Sequence, residues 1–216
     1  MKLHEAYPND LRIVFKQLPL GMHPWAQLAA ETAMAAGAQG KFVEFDEFLF
    51  SHQADVSKRL GEKAKAMGKG PGEDRAEDVQ REVFVDLGTE FGLDAAKLRS
   101  DLEGRVHRAR VQNEAQEAAK LGVNGTPGSF VNGRYFVGAQ PFENFKAEIE
   151  KELAWKRDGN RPNLPKGTNV AQLRPQGSQA PSGPDPAKVY DLKPGASPFA
   201  GPGGAKVTIL HYLDYQ

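Results

Sequence analysis

Near its end the chain carries an apolar run, Lys206-Val207-Thr208-Ile209-Leu210-His211-Tyr212-Leu213, that reads as a β-strand and is followed only by Asp214, Tyr215 and Gln216. No later segment is there to pair with it. A strand with open edges presents unpaired N–H and C=O groups, which is an aggregation liability. The run is therefore expected to pair with something far upstream, or with a partner chain.

Upstream, residues 11–15, Leu-Arg-Ile-Val-Phe, are a short β-branched apolar run that reads as a buried strand, closed by Pro19 and Gly21. Before it, Lys2 to Tyr7 read as the last turns of a helix, ended by the turn cluster Pro8-Asn9-Asp10. From His23 the apolar period becomes helical. Trp25, Leu28, Ala29, Thr32, Ala33 and Ala36 make one face, and Gly37 can end it. Gln39 to Phe50 predict a second helix, with Phe42, Phe45, Phe48 and Leu49 inward, and 54–67 a further, strongly charged one. Gly68-Lys69-Gly70-Pro71-Gly72 breaks the run. Val79, Val83, Leu87 and Phe91 then resume helical spacing up to Gly92, and Asp94 can cap a helix containing Leu98 and Leu102. Arg105 to Leu121 predict a long helix stopped by Gly122.

The period then alternates. Ser129-Phe130-Val131 and Tyr135-Phe136-Val137 flank Asn132-Gly133, a strong signal for a type I′ hairpin, whose turn needs positive φ at both central positions. A last amphipathic helix shows Phe142, Phe145, Ile149 and Leu153 on one face. Residues 156–204 are rich in Pro, Gly, Gln, Ser and Asn, which is linker composition, with Val189-Tyr190-Asp191-Leu192 a candidate short strand inside it.

The charges balance, 28 Lys and Arg against 28 Asp and Glu, which disfavours an electrostatically driven nucleic-acid binder or a polybasic membrane-surface protein. No apolar run approaches the ~20 residues of a membrane span. The polar start, Met1 to Pro8, does not have the pattern of a signal peptide. There is no cysteine, so disulfides, thiolate metal sites and thiol chemistry are excluded together. Five scattered histidines without a His-x-x-x-His pair give no metal motif, and no cofactor is expected.

Several segments together resemble the DsbA-like thioredoxin family. Phe15-Lys16-Gln17-Leu18-Pro19-Leu20, then His23-Pro24, Ala29-Ala30 and Ala35-Ala36-Gly37, are similar to its second strand and the entry to its helical insertion. Gln39-Gly40-Lys41-Phe42 and Leu49-Phe50 continue the likeness. Leu121-Gly122-Val123-Asn124-Gly125-Thr126-Pro127, with Phe130-Val131-Asn132-Gly133, resembles the family's cis-proline loop and hairpin. The likeness covers most of 1–155, the charged segment 55–80 reading as an expansion. Val189-Tyr190-Asp191, Ser197-Pro198, Gly201-Pro202, Val207-Thr208-Ile209 and Asp214-Tyr215-Gln216 look like the start of a second copy. In relatives the Cys-x-x-Cys motif would come next. The chain thus spans the stretch between two such motifs, either as a segment of a tandem-repeat parent or as a permuted stand-alone chain.

The resemblance implies an α/β thioredoxin-like fold of DsbA type with a helical insertion, its first central strand supplied by the C-terminal segment, as in a circular permutant or a domain swap. The domain plan is 1–155 for the thioredoxin-like part without its Cys-x-x-Cys, 156–204 for the linker and 205–216 for the strand completing the sheet. A linker of about 50 residues has an r.m.s. span of roughly 35–40 Å, enough for closure on the same chain or on a second copy.

The family chemistry is thiol–disulfide exchange, so no catalytic residue is expected here and the chain should be inactive by itself. The alternative is a non-catalytic scaffold holding an extended polypeptide at the loop Gly125-Thr126-Pro127, the candidate substrate-binding residues. The same three residues can equally be a tight turn that fixes the hairpin. His23 and Trp25 can line a groove, but Trp25 is assigned to core packing and His23 to a helix start. Asp214, which by the resemblance would lie beside the missing thiols, is assigned to the polar end of a strand. Arg99, Arg105, Arg108 and Arg110, interspersed with Asp101 and Glu103, read as a solvated face. Expected partners are an extended polypeptide and a swapped second copy, with no nucleic acid and no membrane. The family implies an exported, periplasmic parent.

Overall fold

In the computed structural model of this protein the described residues are 2–163, 165–167 and 183–215. After a short helix α1 (Lys2–Ala6) and the Pro8-Asn9-Asp10 turn, the chain extends as β1 (Leu11–Gln17), two residues longer than its apolar run. All of β1 except Arg12 is buried, as expected of a strand covered on both faces. The C-terminal run forms β5 (Val207–Leu213), which lies parallel to β1 in unbroken register from Leu11 opposite Val207 to Gln17 opposite Leu213.

The other edge of β5 is taken by the hairpin of β2 (Gly128–Val131) and β3 (Arg134–Val137). β2 runs antiparallel to β5, with Gly128 opposite Tyr212 and Val131 opposite Ile209. Asn132 and Gly133 both have positive φ, 43° and 88°, the geometry for which Asn-Gly is suited. Asn132 also ties the turn to the start of β5. Its side-chain oxygen accepts from the Thr208 N–H at 2.9 Å, and its own N–H donates to the Thr208 carbonyl at 2.9 Å. A two-residue strand, β4 (Phe199–Ala200), pairs antiparallel with β1, so the sheet order is β3-β2-β5-β1-β4.

The sheet belongs to one of two compact units, which comprises Met1–Leu18 and Glu114–Leu213. The unit includes the C-terminal half of α6 (Arg108–Leu121) and all of α7 (Phe142–Asp158), whose Ile149 is fully buried. The second unit is Pro19–Asn113 with the residues from Asp214 onward. It is helical: α2 (Ala26–Ala38), α3 (Phe42–Ala66), α4 (Glu77–Phe91) and α5 (Ala95–Glu103), with a 3₁₀ turn at Glu73–Arg75. Six alanines of α2, at 26, 29, 30, 33, 35 and 36, are buried and let its neighbours approach closely. Phe45 packs edge-on to Phe91 at 5.1 Å, and Trp25 lies 6.0 Å from Phe84, which makes it a core residue. Gly92 closes α4 with φ 94°, and the Asp94 side chain accepts from the Lys97 N–H to open α5.

Four expectations change. The two helices over 39–50 and 54–67 are one continuous helix, α3. Phe50 to Asp55 contain no Gly or Pro to break it, and the Ser51 and His52 side chains bond back to the Phe48 carbonyl without interrupting the helix. The helix expected from Arg105 begins at Arg108, since Arg105 has φ 53° and belongs to the preceding turn. Val189-Tyr190-Asp191-Leu192 is not a strand. Val189 alone bridges to Arg134 and Lys166. The segment 156–204 is not uniformly linker: α7 runs to Asp158, and β4 and the Val189 bridges fall inside it, while 164 and 168–182 lie outside the described residues.

Val207, Ile209, Leu210, Tyr212 and Leu213 are all buried. At about 1.5–3 kcal/mol for each large apolar side chain, their burial is worth on the order of 10 kcal/mol. That is comparable to the whole stability of a domain, about 5–15 kcal/mol. Truncation after Gly204 is therefore expected to abolish the cooperative thermal transition seen by circular dichroism. A truncated chain that keeps the midpoint of the parent would contradict the energetic role of β5.

Candidate functional site

In the sheet unit the loop Gly125-Thr126-Pro127 joins α6 to β2. Gly122, with φ 86°, turns the chain out of α6, Val123 is buried beneath it, and Gly128 starts the pairing with both β3 and β5. The Thr126–Pro127 peptide is cis. All three loop residues are half-buried. Neither the N–H nor the C=O of Thr126 has a partner among the described residues. A residue that adjoins a strand and keeps its backbone groups free is what strand addition by an extended peptide requires.

Beside the loop lies a buried polar cluster that the sequence reading did not identify. Gly128 is in register with Tyr212, and Tyr212 with Lys16. The Tyr212 hydroxyl donates to Glu117 Oε1 at 2.7 Å, and Lys16 Nζ donates to Glu117 Oε2 at 3.1 Å. One helical turn away, Glu114 accepts from the Gln17 N–H at 2.8 Å and from the Ser197 hydroxyl at 2.6 Å. Burial, reinforced by the Glu117 carboxylate, pushes the Tyr212 hydroxyl far above its ordinary range. His211, on the opposite face of β5, lies with Nδ1 2.8 Å from the Ser129 hydroxyl, and burial lowers its pKa to about 4. The only sequence signal for the cluster was Lys16-Gln17 at the end of an otherwise apolar strand.

In the helical unit the residues after β5 are gripped by their own set of contacts. The Asp214 side chain is fully buried, and its Oδ2 lies 2.5 Å from His23 Nδ1 and accepts from the Leu20 N–H at 3.1 Å. His23 and Asp214, assigned separately to a helix start and a strand end, are thus one hydrogen-bonded pair. The Tyr215 hydroxyl donates to Asp46 at 2.8 Å, and its ring lies 5.1 Å from Phe50. Burial raises Asp46 to about 7, against the Tyr215 hydroxyl, which lowers it. Arg99 is held by Glu82, and Arg105 by Glu31 and Glu77. Those arginines do structural work rather than form a free basic face. Among the described residues no group of three His, Cys, Asp or Glu could hold a metal ion, and no helix is long and apolar enough to cross a membrane.

The family profile for a DSBA-like thioredoxin domain matches residues 2–150. This chain belongs to that family. Among individual proteins it is similar to the Na(+)/H(+) antiporter NhaA 1 of Salinispora arenicola, 32% identical over 150 residues that make up 69% of this chain and 20% of that protein. It is also similar to NhaA 3 of Salinispora tropica, 30% identical over 174 residues, 80% of this chain and 21% of that protein. The NhaA antiporter of Herminiimonas arsenicoxydans is 27% identical over 148 residues, 68% and 20% respectively. The chain therefore spans about a fifth of the length of these relatives. No solved structure gives a significant match.

Asp46 makes the DsbA-like chain's stability depend on pH. Its carboxyl is raised from 3.8 to about 7, so the folded state holds the proton while the unfolded state releases it. The stabilisation is complete below pH 3.8 and is lost as pH rises through about 7. At roughly 1.4 kcal/mol per pH unit, a few kcal/mol are at stake. Asp46→Asn keeps an acceptor for Tyr215 and should be more stable than the parent at pH 8 by about 1–3 kcal/mol. It should be nearly equal to the parent at pH 4. Urea unfolding at the two pH values checks this, and an unchanged pH slope in the variant would contradict it.

Proposed function

We propose that this chain is the polypeptide-holding body of a thiol–disulfide oxidoreductase-type domain, and that it performs no redox chemistry by itself. Membership in the DsbA-like family and the absence of any cysteine support this reading. The observation that carries the holding role is the backbone of Thr126 at the head of β2, which has no partner among the described residues. An extended chain laid beside Gly125-Thr126-Pro127 would exchange main-chain hydrogen bonds with Thr126 and continue the sheet locally.

The antiporter relatives are about five times as long as the matched share, and no described helix here can span a bilayer. We take the chain to correspond to a thioredoxin-like part of such proteins and not to a part that carries sodium or protons. We also propose closure on the same chain in the manner of a circular permutant, with a swapped dimer as the competing form; the r.m.s. span of a linker of about 50 residues, roughly 35–40 Å, supports closure.

Two measurements test the reading. In insulin reduction the purified chain should match the buffer blank, since no sulfur nucleophile is present. Titration with an unfolded, cysteine-free polypeptide should shift the amide resonances of Thr126 and Gly128 before others in the sheet unit. Robust turnover would overturn the first half of the proposal. Binding that leaves Thr126 and Gly128 unmoved would overturn the second. A monomer mass by light scattering is expected, and a stable dimer would favour the swap.

A further inference from the structure

At the end of the sheet opposite the Gly125-Thr126-Pro127 loop, where β1 and β5 begin, the sheet unit holds a cleft of about 510 Å³. That is the size of a small-molecule site, for which about 300–1,000 Å³ is usual. Four cations line it, Arg12, Lys156, Arg161 and Lys166, against one carboxylate, Asp191. Four positive and one negative give +3. Counting Glu152, which stands behind Arg161, leaves +2. The chain as a whole balances 28 against 28, so the positive charge has been gathered here.

The two arginines are already held in place. Arg12 donates to the Gly203 carbonyl at 3.0 Å and lies 5.6 Å from the Phe199 ring centre, while its buried Nε has no partner among the described residues. Arg161 donates to the Asn132 carbonyl at 3.1 Å and to Glu152 at 2.9 Å. The Lys156 and Lys166 side chains have no ion pair or hydrogen bond among the described residues, and both residues are exposed. Like charges converging on a cleft repel one another unless an anion sits between them. Fixed guanidinium groups flanked by exposed ammonium groups suit a phosphate better than a single carboxylate, because phosphate offers more acceptor oxygens and more charge. Val189, Leu192 and Leu210 supply apolar wall, and the volume exceeds what an inorganic anion fills.

We propose that this cleft binds a phosphate ester, with the phosphate among Arg12, Arg161 and the two lysines and the organic group against the apolar wall. The ester can be free in solution or the headgroup of an anionic lipid. The test uses the full chain and amide resonances of Thr208, Gly133 and Gly167 as reporters. The probes are glycerol 3-phosphate, inorganic phosphate, citrate, and vesicles of phosphatidylglycerol or phosphatidylcholine. Saturable shifts with glycerol 3-phosphate identify a free ester. A response confined to phosphatidylglycerol vesicles identifies a lipid-borne one. Either should weaken about tenfold or more in the double variant Lys156→Gln/Lys166→Gln, whose exposed positions leave the fold intact. No response to glycerol 3-phosphate or phosphatidylglycerol, an equal response to citrate or inorganic phosphate, or undiminished binding by the double variant would overturn the proposal.

Discussion

The structure depends on the hydrogen bonding of β5 along both of its edges. β1 and the β2–β3 hairpin do not pair with each other, so without β5 the sheet falls into two pieces with facing rows of unpaired N–H and C=O groups. Each buried unpaired group costs about 1–3 kcal/mol. Everything around the candidate site is then located by this one strand. Tyr212 sets the position of Gly128 on one side and of Lys16 on the other, and so brings the Gly125-Thr126-Pro127 loop beside the Glu117 cluster.

The buried charges fix the register as well as occupying it. Lys16, almost fully buried, would be expensive to bury alone, and the half-buried Glu117 carboxylate satisfies both it and the Tyr212 hydroxyl. A slip of β5 by one residue would turn Tyr212 to the other face and bring His211 or Leu213 to its place, so that Glu117 loses the phenol. Glu114 adds a second check, since it holds the Gln17 N–H and the Ser197 hydroxyl at once. In the helical unit Asp214 and Asp46 do the corresponding job for the two residues that follow β5, by gripping His23, the Leu20 N–H and Tyr215.

Apart from the pairing of the C-terminal run with residues 11–15, what the sequence revealed was local. The Asn132-Gly133 turn, the Asp94 cap, the Gly92 and Gly122 helix ends and the apolar faces of α2, α4 and α7 each rest on residues a few positions apart, where backbone geometry alone decides. The break wrongly placed between 50 and 54 came from a change in charge density, which alters the solvent face of α3 without removing a backbone hydrogen bond. Long-range side-chain pairs leave no such local mark. His23 and Asp214 are separated by 191 positions, and Lys16 and Glu117 by 101. The two-residue β4 was hidden for a different reason: main-chain bonds at an edge place almost no demand on side-chain type. The loop Gly125-Thr126-Pro127 was recognisable through family likeness, whereas a Thr126 backbone without a partner among the described residues leaves no trace in residue type.

The central claim is that β5 is an integral strand of the sheet and not an appended tail. Native-state hydrogen exchange tests it most directly. The amides of Val207 to Leu213 should exchange with the slowest class, alongside those of Val14 and Phe15, at rates independent of protein concentration. Exchange of the β5 amides as fast as those of Gly203 and Gly204, while β1 stays protected, would contradict the account.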